Sequence, residues 1–226
     1  MSEQRSPLPE VVGELRRGPV LLLAPHPDDD LIGPGCTAGL HAAQGDQVHV
    51  VVVYDGAAGN AGSDLPREEF IALRQREARA GGAHLGLSSY EFWGYPEGHE
   101  PGPAEFQAGV ERLAAVIADK RPATVYAPWI GEHHVDHHVL AKVTRAALEL
   151  AGFQGEAWGY EVWSALVPTR VVDITELFER KAAGLREHRS QLAHTDLVHC
   201  IRGLNAHRSL YLPRGGEAYA EGFAPL

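Results

Sequence analysis

The chain has 226 residues, a length that suits one α/β domain and leaves little room for two independent cores. Its 44 % hydrophobic and 22 % charged content is that of an ordinary globular protein, and no apolar run approaches a bilayer span, Val20–Ala24 being strand-sized. A net charge of −10 without a basic patch argues against nucleic acid as a partner.

Residues 1–17 are polar and lack the apolar stretch of a secretion signal, so a cytoplasmic protein is expected. Val20–Ala24 and Val48–Tyr54 are near-continuous apolar runs, the pattern of strands covered on both faces. Between them, Leu31–Gln44 has the length of a crossover helix. Pro66–Leu85 predicts a helix opened by proline, Tyr90–Trp93 a short strand, Pro103–Lys120 an amphipathic helix and Thr124–Ala127 another strand. Val135–Ala151 predicts a helix closed by Gly152. Strands at Ala157–Trp163 and Arg170–Asp173 and a helix over Thr175–Gln191 follow, and the tail from Arg202 to Leu226 is assigned no regular structure. This β-α alternation predicts one Rossmann-like three-layer α/β/α sandwich with a mostly parallel sheet, a single domain over residues 1–226. The stretches Gly56–Gly62 and Gly94–Pro103 each follow a strand, which places them at the carboxyl edge of the sheet, where open α/β folds bind ligands. Cys36 and Cys200, far apart and outside any CxxC pattern, read as buried small residues.

Thirteen histidines are unevenly spread, and imidazole clusters are the usual protein ligands for transition metals. One constellation, Pro25-His26-Pro27-Asp28-Asp29-Asp30, directly follows the first strand. Neighbouring acids cannot easily aim at one ion, so one would ligate while another stays free as a general base. Capping of the next helix is the competing role for these aspartates. The second constellation, His133-His134-Val135-Asp136-His137-His138, follows the Thr124–Ala127 strand. On a helix His134 shares a face with His137 and with His138, so His138 competes with His137 as the ligand. Both clusters follow strands of one parallel register and can meet at one sheet edge. A His and an Asp from the first loop and a His from the second would hold a metal with an open position for water, next to a carboxylate that takes a proton. That is hydrolase chemistry.

At these residues the chain resembles the LmbE-like or PIG-L-like zinc-dependent N-acetylglucosaminyl deacetylases. The family's A-H-P-D-D-E motif corresponds to Pro25–Asp30, and its H-x-D-H to His134-Val135-Asp136-His137. The resemblance implies His26, Asp29 and His137 as ligands of one zinc ion, Asp28 as general base, His134 as oxyanion donor or acid to the leaving amine, and Asp136 as the residue orienting a histidine. It extends through Asp55-Gly56, Arg74-x-x-Glu77, Gly94–Gly98, His188-x-Ser190-Gln191 and Tyr219–Phe223, in the family's order. Arg74 and Glu97 are thereby implied in substrate binding, although Arg74 equally fits a solvated helix face with Arg76, Glu77 and Arg79. Three positions depart from the pattern: Asp30 stands for Glu, Pro25 for Ala, and Glu97 for Asp in the turn near the sugar. The implied substrate is a small N-acylated amino sugar or amide, acetyl first, with neither nucleic acid nor membrane as partner and homo-oligomerisation left open. A thiol-conjugate or natural-product amidase of the same fold and a non-catalytic metal-binding protein are the alternatives; the second has no use for Asp28. The His/Asp ligand set fits iron as well as zinc. Gly56–Gly62 lacks nucleotide-loop spacing and Ser190 lacks a G-x-S-x-G context, which argues against a nucleotide site and a serine hydrolase.

Overall fold

The computed structural model describes residues 8–60 and 64–226; residues 1–7 and the end of the glycine-rich stretch, 61–62, lie outside them. Its strands are β1 (Glu10–Val12), β2 (Val20–Ala24), β3 (Val48–Tyr54), β4 (Ser89–Tyr95), β5 (Thr124–Pro128), β6 (Glu156–Tyr160), β7 (Arg170–Asp173) and β8 (Ala220–Pro225). The helices are α1 (Asp29–Ile32), α2 (Gly35–Ala43), α3 (Arg67–Ala83), α4 (Pro103–Lys120), α5 (Val135–Leu150), α6 (Phe178–Leu185), α7 (Arg189–Leu192) and α8 (Leu197–Arg208). One sheet runs β1-β7-β8-β6-β5-β2-β3-β4, parallel throughout except where β8 pairs antiparallel with β6 and β7. The mostly parallel three-layer α/β fold is therefore as expected.

Alternation along the central strands divides the core. Leu22 and Ala24 of β2 and Val50 and Val52 of β3 pack with Ile32, Ala78, Phe178 and Leu185 on the face covered by α1, α2, α3, α6 and α8. Leu21, Leu23, Val51 and Val53 face the other way, against Leu113 and Ile117 of α4 and Leu140 and Val143 of α5. Because both faces are covered, these strands carry no polar side, which is why they read as continuous apolar runs.

The site is positioned by connectivity. From β2 the chain moves outward to β3 and β4, then returns to lay β5 on the opposite side of β2, in the register Val20↔Thr124 to Leu22↔Tyr126. The loops after β2 and β5 thus leave adjacent strands in opposite directions, opening the crevice of a topological switch point.

Five expectations are corrected. The Leu31–Gln44 helix is two, α1 and α2, because Pro34 cannot continue a helix and Gly33 lies so close to Tyr160 that a Cβ would stand 2.2 Å from its ring. Thr175–Gln191 likewise splits into α6 and α7, and the strand expected to reach Trp163 ends at Tyr160. The tail is ordered: Arg202–Arg208 completes α8, and β8 is inserted into the sheet, tied by Glu221. Cys36 is buried as expected, but Cys200 is exposed.

Glu221 explains how a glycine- and alanine-rich segment becomes an interior strand. Its carboxylate accepts from Lys181 Nζ at 2.7 Å, from the Cys36 and Thr37 N–H groups at 2.9 and 2.8 Å, and from Thr37 Oγ1 at 2.6 Å. The carboxylate therefore caps the first turn of α2 while neutralising a lysine with 0 % side-chain exposure. Glu221→Ala strands that ammonium, so the urea unfolding free energy should fall by about 3–5 kcal/mol; a loss under about 1 kcal/mol would contradict this account of β8.

Candidate metal centre

The loop after β2 separates its three aspartates. Asp28 occupies the N-cap position of α1 but makes no side-chain cap bond; its Oδ2 lies 3.0 Å from the Arg74 guanidinium. Asp29 turns inward, where Oδ2 accepts the His26 backbone N–H at 2.9 Å. Asp30 points into the core and accepts from the Tyr90 hydroxyl at 2.6 Å. Burial raises the Asp30 pKa to about 7, with Tyr90 opposing and the Asp28 and Asp29 charges adding to the rise. Gly56 lets this loop sit low against the end of β3: its φ is +75°, and a Cβ there would approach Pro27 to 2.9 Å.

From the second loop, α5 begins with His134 as its N-cap residue, whose Nδ1 accepts the Asp136 N–H at 3.3 Å. That bond leaves the neutral ring's hydrogen on Nε2. His137, fully buried, reaches the first loop, with Nε2 3.2 Å from Asp29 Oδ2 and 3.3 Å from His26 Nδ1. His138 turns away and holds the Ile130 carbonyl oxygen through Nδ1 at 2.8 Å. His133 bonds Ser164. Asp136 meets His26 Nε2 at 3.0 Å and is farther, 3.9 Å, from His134, so the histidine it orients is His26.

The geometry fits a metal ion. His26 Nδ1, Asp29 Oδ2 and His137 Nε2 form a triangle with edges of 3.1, 3.2 and 3.3 Å. Ligand atoms about 2.0–2.1 Å from a tetrahedral zinc stand roughly 3.3–3.4 Å apart, so the triangle matches one face of such a site. Asp29 Oδ1 is buried without a hydrogen-bond partner, a deficit that a cation would relieve. His134 stands over this triangle, its ring centroid 4.9 Å from those of His26 and His137. One donor atom from each of these three histidines falls within a 4.8 Å group, a second set that a metal could use. Charge is concentrated here. Burial opposes protonation of His26, but hydrogen bonds to Asp136 and Asp29 outweigh it and raise its pKa to about 10. For His137 burial is likewise outweighed, by the Asp29 charge and hydrogen bond, and the pKa rises to about 9. Asp29 is held well below the carboxylate range: burial pushes it up, and His137 and His26 more than reverse that.

Around the triangle, Glu97 Oε1 lies 3.5 Å from His26 Nε2, and burial raises the Glu97 pKa. Its other oxygen accepts the Ala58 N–H. Gly98 N–H donates to both Asp136 oxygens at 2.9 and 3.0 Å, fastening the Gly94–Pro103 loop to the site. Arg74 is 3 % exposed and bonds Gly56 O at 3.1 Å as well as Asp28, so it occupies no solvated face and its partner is the aspartate. Two residues carried no functional expectation. Glu132 sits 3.3 Å from His137 Nδ1, an ion-pair distance without hydrogen-bond alignment, while accepting the N–H groups of Val162, Trp163 and Ser164. Tyr54 places its ring centroid 5.8 Å from that of His26. An acid just ahead of the histidine run was a signal for Glu132; nothing local singled out Tyr54.

Comparison with known proteins sets this geometry in context. The sequence model of the family described as PIG-L, GlcNAc-PI de-N-acetylase, matches residues 21–148. The 2′-N-acetylparomamine deacetylase of Streptomyces fradiae is 29 % identical over 91 % of this chain and 85 % of its own length. The N,N′-diacetylchitobiose deacetylase of Pyrococcus horikoshii, solved with an inhibitor, superposes with a TM-score of 0.77 at 25 % identity, covering 92 % of this chain and 83 % of that one. A 4-carboxy-2-hydroxymuconate hydratase from Pseudomonas putida shares the fold at a TM-score of 0.80, 93 % and 96 % coverage and only 19 % identity.

The raised histidines have a consequence for the metal-free protein. A folded pKa above the unfolded 6.5 means stabilisation that is complete below about pH 6.5 and lost as pH climbs through about 9 and 10. With chelator present, the urea midpoint should therefore fall from about pH 7 to about pH 10. A midpoint that rises over that interval would show that neither imidazole carries a proton in the fold.

Proposed function

The chain belongs to the PIG-L family, and from that premise we propose that it hydrolyses the N-acyl amide of an amino sugar or related small amide, with one divalent metal, zinc or iron. The observation that carries this reading is the His26–Asp29–His137 triangle with a further carboxylate, Asp28, beside it and outside it. An ion held by His26, Asp29 and His137 would supply a Lewis acid for the amide carbonyl and acidify water.

The residues of the chain do the rest. Asp28 takes the proton of the attacking water, and Arg74 holds the carboxylate from behind at 3.0 Å. Asp136 on His26 and Glu132 on His137 steady the far nitrogens of the two imidazoles, leaving the near nitrogens free to ligate. His134 is half-exposed above the triangle, and its Nε2–H points the ring's one hydrogen away from Asp136 N. It donates to the oxygen that becomes negative as the carbonyl carbon turns tetrahedral, while the proton that Asp28 took from water passes to the departing amine. Glu97, at the mouth beside His26, accepts hydrogen bonds from sugar hydroxyls. A metal store would need the triangle but not this second set.

The relatives supply the substrate class. The paromamine and diacetylchitobiose enzymes are named for N-acetylated amino sugars, and acetyl is accordingly the acyl group proposed first. The hydratase shares only the fold, so the reaction is argued from family and site.

Asp28→Asn should keep one equivalent of metal while amine release from N-acetylglucosamine falls roughly 10²–10⁴-fold. Metal analysis and a rate assay on the same preparation decide it; a wild-type rate would remove Asp28 from the mechanism.

A further inference from the structure

Beside the metal centre, on the sheet face covered by α4 and α5, lies a cavity of about 440 Å³. Trp93, Tyr95, Phe106, Val139, Leu140 and Val143 are among the residues of its wall. The volume is in the range of small-molecule sites and far above that of a packing defect. Its ionisable side chains at the rim, His99 and Glu105, pair with each other at 3.0 Å and are 57 % and 62 % exposed. Among the described residues the lining includes no lysine or arginine to hold a phosphate or carboxylate.

Two connections tie this cavity to the metal centre. Tyr54 lines it and lies against His26, ring centroids 5.8 Å apart. The turn over residues 96–99 borders it: Pro96 and His99 line the cavity, Gly98 N–H is bonded to Asp136, and Glu97 approaches His26. Beyond Pro96 lies a second, polar cleft of about 330 Å³, lined by Asp55, Asn60, Arg67 and Glu97. One turn thus separates a chamber suited to a hydroxyl-rich ring from one suited to hydrocarbon.

We propose that the apolar chamber binds an uncharged alkyl or aryl group of the substrate, so that this chain acts on amphiphilic N-acyl amino compounds in preference to bare N-acetylglucosamine. The proposal rests on the hydrolase reading above. The apolar group can be carried as a long acyl chain or as a substituent on the sugar; both present the same chemistry to the walls. The walls are held for contact: the Arg112 guanidinium stacks 4.1 Å from the Trp93 ring centroid and 5.4 Å from that of Tyr95, bracing the aromatic side. Each methylene moved from water into such a chamber tightens binding by roughly fourfold.

The chamber can be closed by one substitution. Gly109 is a helical residue in its lining, and a Cβ there meets only Val143 methyls at 3.8 and 3.9 Å, an ordinary contact. Gly109→Phe fills the space from a helix that tolerates the change. With metal-loaded protein, kcat/KM is measured for N-acetylglucosamine, its octyl glycoside and N-octanoylglucosamine. At least one octyl compound should exceed the parent by on the order of 30-fold, the gain from burying two or three of its methylenes, and the ratio should collapse toward one in Gly109→Phe. The arm that gains identifies where the apolar group is carried. Octyl glucoside, which has no amide, should quench Trp93 fluorescence in the wild type and not in Gly109→Phe, with Trp93→Phe identifying the signal. Equal kcat/KM for all three substrates without quenching overturns the proposal and leaves the hydrolase reading standing. Quenching with no amide hydrolysed supports the chamber and overturns that reading.

Discussion

At the carboxyl edge of the sheet a carboxylate with almost no access to water lies between two imidazoles. Asp29 is 1 % exposed, and an ionised carboxylate buried alone costs several kcal/mol. Its partners, His26 in the loop after β2 and His137 in the first turn of α5, lie 111 positions apart. They meet only because β2 and β5 are parallel neighbours whose loops leave the same edge in opposite directions. Each imidazole then needs something on its other side, and Asp136 and Glu132 stand there. Asp136 in turn receives Gly98, and Glu132 receives residues 162–164, so the loops that shape the mouth are anchored to the same buried charge. The arrangement of the imidazoles and the outline of the mouth both depend on accommodating one carboxylate.

How much of this was readable beforehand follows from the range of each interaction. The strands β2 and β3 announced themselves because burial on both faces leaves unbroken apolar runs. That the two His/Asp clusters meet was readable because each is contiguous in sequence and follows a strand of the sheet that alternation predicts. His137 and His138 are equivalent locally; tertiary structure separates them, the Ile130 carbonyl holding the ring of His138 while that of His137 lies beside Asp29. The tail misled because Ala220-Glu221-Gly222-Phe223-Ala224-Pro225 lacks the β-branched residues of a strand, and its place depends on the distant Lys181 and the first turn of α2. Arg74 resembled a surface residue on a charged helix, yet its partner is an aspartate brought to it by tertiary structure. Glu132 and Tyr54 were silent for the same reason.

The fold by itself leaves the chemistry open, as the hydratase relative makes plain. What distinguishes this site is division of labour among like groups. Three consecutive aspartates take three directions, toward Arg74, toward the imidazoles and toward Tyr90. Four histidines in six residues likewise separate: His137 turns inward, His134 overhangs the site, and His133 and His138 are held by Ser164 and Ile130. The same economy appears in the turn over residues 96–99, which gives one side to the metal centre and the other to an apolar wall.

The central claim is that Asp29, and not His134, completes the metal set with His26 and His137. Anomalous scattering from crystals of the zinc-loaded protein tests it directly. The account predicts one ion with His26 Nδ1, Asp29 Oδ2 and His137 Nε2 each at about 2.0–2.2 Å and the His134 ring outside bonding distance. An ion bound by His26, His134 and His137, with Asp29 unligated, would contradict it.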